Sequence, residues 1–215
     1  MPVEYEAQQG DSIASIAFAY GHHPDTIWNF PDNAKLKALR KDPYVLLPGD
    51  IVIIPDKRIV QYGRPTEQLH RFQRKGVPEI LRVQFWARGQ PLRNKECTVK
   101  FAPSDQGTRV VSTDGEGMLT LPVPPNVRDV NVTIAETGDS FDLRIGHLDP
   151  IDTNIGVKKR LRNIGLLPGD QFTDSNELDD AAVAALANFQ ASHDLPASGQ
   201  LDDATRRKLK EVFEG

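Results

Sequence analysis

The sequence predicts a multidomain α+β chain, and two changes of hydrophobic period together with the punctuation between them predict it. Between Tyr5 and Pro55, apolar residues at helical spacing lie between two short strand-like runs; from Ile80 the pattern becomes short alternating runs, and beyond Pro150 it turns helical. The 16 glycines and 16 prolines are spread along the 215 residues rather than clustered, which separates several short units by turns. The predicted architecture is a strand-helix-helix-strand (βααβ) module at residues 1–57, a basic connector at 58–78, a central β-sandwich at 79–147 and a C-terminal three-helix bundle at 148–215.

In the first module Val3 and Tyr5 alternate with Glu4 and Glu6, the period of a strand with one buried face. Gln8-Gln9-Gly10 turns the chain. Asp11 or Ser12 then stands where an N-cap belongs, since either side chain can accept a hydrogen bond from an orphan helix N–H. Ile13, Ile16, Ala17 and Tyr20 make the inward face of a first helix, which Gly21 ends. Pro24 suits the first turn of a second helix carrying Ile27 and Trp28. A long connection from Ala34 to Val45 precedes a turn at Leu46-Leu47-Pro48-Gly49-Asp50, and Ile51 to Ile54 reads as a short buried strand. His22-His23 lacks the further ligands a metal site requires and reads as a surface turn.

GDSIASIA at Gly10 to Ala17 and PGDIVIIP at Pro48 to Pro55 resemble the opening and closing signatures of the LysM module, with Asn29 or Asn33 as the asparagine that often follows its second helix. The resemblance implies a βααβ fold and a shallow groove for N-acetylglucosamine-containing polymers, with Gly10, Asp11, Ser12, Ile13, Leu47, Pro48 and Gly49 as its ligand-binding residues.

Gln61 to Gly76 is polar and basic, and its Arg64, Arg71, Arg74 and Lys75 suit a solvated tether or an arm for an acidic partner. Short alternating runs follow, bounded by Gly, Pro, Asn and Asp, with a turn at Asp114-Gly115-Glu116-Gly117. Phe85 and Trp86 are adjacent, so a strand would place them on opposite faces, and Cys97 reads as a small buried hydrophobe. The stretch Gly89 to Pro124 resembles prealbumin-like or carboxypeptidase-regulatory-like modules, which implies a spacer or contact surface.

Val157, Leu161 and Ile164 share one face of a basic helix that Gly165 can end; Leu178, Ala182, Leu186, Phe189 and Gln190 follow on a second, and Thr205, Leu209 and Phe213 on a third that Asp202 can cap. The pattern A…FQ…L…G.LD..T…L over Ala185 to Leu209 resembles the peptidoglycan-binding domain of bacterial cell-wall proteins, and the sequence departs from that pattern at Asp170 to Asp180. The resemblance implies contacts at Asp170, Gln171 and Phe172 on the loop and at Gln190 and His193 on the second helix, although Gln190 also suits a tie between helix and loop.

A net charge of -4 and a pI near 5.7 argue against a nucleic-acid binder. A lone cysteine cannot make an intramolecular disulfide, and no apolar run approaches the roughly 20 residues that span a bilayer, so membrane insertion is not expected. MPVEYEAQQG has neither the basic nor the apolar region of a secretory signal, so the chain is expected to be cytoplasmic as synthesised, with delivery to the periplasm or a target cell by a signal-independent route. The histidines lie in different units and Cys97 has no evident partner, so no enzyme, cofactor or metal is expected. The leading expectation is a non-catalytic peptidoglycan-binding protein that uses two modules for avidity. The order of modules is also similar to proteins of type VI secretion and phage-tail-like contractile machines; this alternative implies an accessory or adaptor protein whose partner is a secretion spike or effector protein.

Overall fold

The computed structural model describes residues 1–58, 63–69, 79–87, 89–102 and 107–214. Arg71, Arg74 and Lys75 of the expected connector lie outside the described residues, and Arg64 is exposed. The chain is a mixed α+β protein in two compact units, one formed by Met1–Tyr44 with Pro48–Gly146 and the other by Val45–Leu47 with His147–Gly215.

In the first unit, β1 (Val3–Glu6) pairs antiparallel with β2 (Ile51–Ile54) in the register Val3 to Ile54 and Tyr5 to Val52. Between them run α1 (Ile13–Tyr20), α2 (Pro24–Trp28), a 3-10 turn at Pro31–Asn33 and α3 (Ala34–Arg40). Ser12, rather than Asp11, caps α1: it forms a reciprocal pair with Ser15, in which each side chain accepts from the other residue's backbone N–H. Gly21 ends the helix in the left-handed region at φ 69. The expected long connection from Ala34 is instead a third helix, because Ala-Lys-Leu-Lys-Ala-Leu-Arg is made of strong helix formers and buries Leu36.

Two polar side chains hold these pieces to β2. Asn33, nearly fully buried, donates to the carbonyls of Ile27 (2.9 Å) and Ile53 (2.7 Å) and accepts from the Ile53 N–H (2.7 Å). The Arg40 guanidinium donates to both oxygens of Asp50, at 2.7 and 2.8 Å, with both side chains almost withdrawn from water, and so fixes α3 against the turn that leads into β2.

The rest of the first unit is β structure. A four-stranded antiparallel sheet has the order β10 (Ser140–Arg144), β9 (Asp129–Ile134), β6 (Glu96–Ala102), β7 (Thr108–Ser112); β3 (Glu79–Gln84) pairs with β8 (Met118–Val123), and β4 (Trp86–Ala87) with β5 (Gln90–Pro91). Alternation along β6, β8 and β9 sends Cys97, Val99, Phe101, Leu119, Leu121, Val130 and Val132 into one apolar cluster shared by the two larger sheets. Phe85 is buried there and its neighbour Trp86 is exposed.

The second unit is helical: α4 (Asn154–Asn163), α5 (Asp180–Ser192) and α6 (Asp203–Glu214). Thr153 and Asp179 cap the first two, and the Asp202 carboxylate accepts from the Thr205 N–H at the start of the third. Val157, Leu161, Leu167, Ala185, Leu186, Phe189 and Leu209 form its core. The lead-in segment is bound to the bundle through alternate carbonyls. Lys159 donates to His147 O, Arg160 to Asp149 O and Arg206 to Ile151 O, and Lys159 also pairs with the Asp149 carboxylate.

Arg40→Met leaves the Asp50 carboxylate buried without its ion-pair partner and is expected to lower stability by about 3 kcal/mol. Urea unfolding followed by the fluorescence of buried Trp28 measures it, and Arg40→Met combined with Asp50→Leu should lose less than the single change.

Candidate functional site

The first candidate surface is the turn from Gly10 to Ile13, and the fold places all four residues inside the protein. Asp11 is 7% exposed. One of its oxygens accepts from the Tyr5 hydroxyl (2.8 Å) and the Gln8 N–H (2.9 Å); the other accepts from the Arg128 guanidinium (2.6 Å). Arg128 lies between β8 and β9, braced by its N–H to Ala102 O and by its carbonyl, which accepts from the Ile145 N–H. On the same side a Cβ at Gly146, which sits at φ +77, would run into the Gly10 carbonyl, so the two backbones touch. Ser12 is spent on its cap and Ile13 is core, with its N–H given to Pro43 O (2.9 Å). Burial, followed by the hydrogen bond to Asp11, pushes the Tyr5 phenol up to about 12. Among the remaining residues expected on the groove, Leu47 is half-buried and belongs to the second unit, whereas Pro48 and Gly49 are exposed in the first.

The second candidate surface is the loop between α4 and α5. Asp170 and Gln171 are exposed at its start, and Phe172 is half-buried against the core. The Phe172 ring carries the Arg162 guanidinium 4.9 Å from its centroid and the Lys158 ammonium at 5.8 Å. Lys158 is fully buried, and the loop closes around it. Its Nζ donates to Thr173 Oγ1 (2.5 Å), Asp179 Oδ2 (3.0 Å), Glu177 O (3.1 Å) and Ser175 O (3.4 Å). Asn176 ties the outer part of the loop to α4, accepting on its carbonyl from the Asn154 side chain and on its side chain from the Ile155 N–H. The Thr173 hydroxyl, then the Ala182 N–H, then the Lys158 ammonium hold the Asp179 carboxyl down to about 2.

Gln190 and His193 have different fates. Gln190 is fully buried, donating to Gln200 O (2.8 Å) and Thr205 Oγ1 (2.9 Å) and accepting from the Gly199 N–H (2.8 Å), so its amide ties α5 to the turn before α6. His193 is half-buried, with its ring 4.3 Å from that of Phe189 and Nδ1 2.9 Å from Phe189 O. Of the five expected residues in this unit, Asp170, Gln171 and Phe172 are brought together on one loop, and Gln190 serves the fold. Sequence reasoning missed Lys158 and Arg128. Lys158 stands in a basic run whose pattern does not single it out, and Arg128 is remote in sequence from Asp11.

A family model described as "Putative peptidoglycan binding domain" matches residues 156–209, from the first turn of α4 to Leu209 of α6. Neither a search of curated proteins nor a search of solved structures found a match. The second unit therefore carries a peptidoglycan-binding-like domain, and Lys158, the loop and Gln190 all lie within the matched residues.

The Asp179 shift has a direction in pH. As pH falls through the ordinary carboxylate range the unfolded chain takes up this proton, while the folded chain holds out to about 2, so the stabilisation is full above about 4 and is lost between about 4 and 2. Asp179→Asn should remove that part of the acid dependence, read from acid unfolding of the second unit by calorimetry. At the alkaline end the Tyr5 contribution is full below about 10 and is lost as pH rises through about 12. Asp11→Asn should bring the late-titrating phenol back toward the others in an ultraviolet titration.

Proposed function

We propose that this chain is a non-catalytic protein that binds peptidoglycan through its C-terminal unit. The family match over residues 156–209 carries the reading. The exposed Asp170 and Gln171, on the loop that Phe172 anchors to the core, supply polar groups of the kind that meet a sugar and its N-acetyl group. That the chain is a binder rather than a catalyst is supported by Cys97, whose burial pushes its thiol up and away from nucleophilic use.

The N-terminal LysM-like module would add a second contact, and with it avidity, only through a turn that opens to ligand. In this fold Asp11 of that turn is engaged by Tyr5, Gln8 and Arg128, which favours single-site binding through the C-terminal unit. A second reading rests on the order of modules alone: an accessory or adaptor of a type VI secretion or phage-tail-like machine that contacts a spike or effector, with the central β domain as the spacer.

Sedimentation with purified sacculi tests both. The intact chain is expected to pellet, and Asp170→Ala with Gln171→Ala should cut retention about tenfold without moving the unfolding midpoint, since both side chains are exposed. Asp11→Asn should lower stability and leave the retention of folded protein unchanged. A chain that fails to pellet but co-purifies with a spike or effector would replace the first reading by the second.

A further inference from the structure

The loop from Thr173 to Asp179 has a property that its position in a binding unit does not require. Four of its oxygens, one from every second residue at 173, 175, 177 and 179, converge on a single point, and the Lys158 ammonium occupies that point. Two are backbone carbonyls, one is a hydroxyl and one a carboxylate, so the cage carries one formal negative charge against one positive charge. The distances, 2.5 to 3.4 Å, are those of N–H···O bonds and are on the whole longer than the roughly 2.0–2.6 Å at which magnesium and calcium are held. Lys158 reaches the cage from a different element, α4, and is fully buried.

We infer that residues 173–179 form a receptor for a primary ammonium group, filled within the chain by Lys158. The oxygens are arranged by the loop's own anchors. Asn176 bonds to the first turn of α4, Asp179 caps α5 by accepting from the Ala182 N–H, and Thr173 donates to Asp179. The receptor therefore outlasts removal of the lysine head, and an amine from solution replaces it. Its selectivity is for three N–H donors on one nitrogen: a primary alkylammonium fits, whereas a tetraalkylammonium, with no N–H to give, does not. Because the loop begins with Asp170, Gln171 and Phe172, the occupied cage also positions the surface assigned above to peptidoglycan, and this last point rests on that assignment.

The experiment is chemical rescue of Lys158→Ala in the full-length chain, followed by the amide resonances of Thr173 to Asp179 and by calorimetry. The variant should lose about 10 °C or more in the midpoint of the second unit. Propylammonium should restore the loop resonances toward their wild-type positions saturably and raise the midpoint with the logarithm of its concentration, whereas sodium and tetramethylammonium at equal ionic strength should do neither. No response to the primary amine, or an equal response to tetramethylammonium, overturns the proposal. Should Lys158→Ala not fold alone, folding on addition of propylammonium supports the receptor. If it stays unfolded, Lys158→Met, which keeps the length of the stem and lacks only the head, is titrated with ammonium ion against sodium, and its failure to respond is decisive against it. Sacculus retention is measured in parallel. A loop restored by amine without restored retention would leave the receptor standing and refute the peptidoglycan assignment of the loop.

Discussion

A charge taken out of water must be met by an opposite charge or by several dipoles, and this chain meets that demand with its loops. Asp11 draws Tyr5, the Gln8 amide and Arg128 to one carboxylate; Asp50 takes both arms of Arg40; Lys158 draws four oxygens of one loop to one nitrogen. In each case the partner comes from another element, so a loop that has little apolar surface of its own acquires a fixed place. The short helices and small sheets could not do this by area alone, since each buries only a few side chains. The ion pairs decide where these loops sit, and the apolar clusters keep water away from them.

The parts of the fold that follow from burial were legible in the sequence. Ile13, Ile16 and Ala17 in α1, and Val157, Leu161 and Phe189 in the bundle, show their period because an inward face has to repeat with the helix. The α3 helix shows no period in the sequence although its Ala, Lys, Leu and Arg favour helix, because only Leu36 of it is buried and one residue cannot repeat. The long-range polar pairs left no trace: Asp11 and Arg128 are 117 positions apart, and nothing near either one names the other. Lys158 was hidden for a different reason. It stands in a run of basic residues, and its neighbours alone do not separate a solvated lysine from one that turns inward.

The candidate surfaces were legible as positions and less so as roles. Gly10 to Ile13 is a tight turn opening a helix, but a turn that caps a helix, anchors Tyr5 and receives Arg128 has few polar groups left to present. Gln190, read both as a contact and as a tie, is the tie, because a buried amide must satisfy its donors and acceptor and the Gly199 to Thr205 segment does so. Asp170 and Gln171 stay exposed because the rest of their loop is already held from within. A loop anchored by Lys158 and Asn176 holds its exposed side chains in place without further ordering.

Asn33 has a consequence beyond joining α2 to β2. A two-stranded sheet leaves an outer edge on each strand, and an open edge invites another chain to add a strand. On β2 the Asn33 amide occupies the Ile53 N–H and C=O together, as a passing strand would, so that edge is blocked at Ile53 by a side chain. On β1 the exposed Glu4 and Glu6 put negative charge beside the other edge. The module thus resists the addition of a strand from another chain at the cost of a single buried amide.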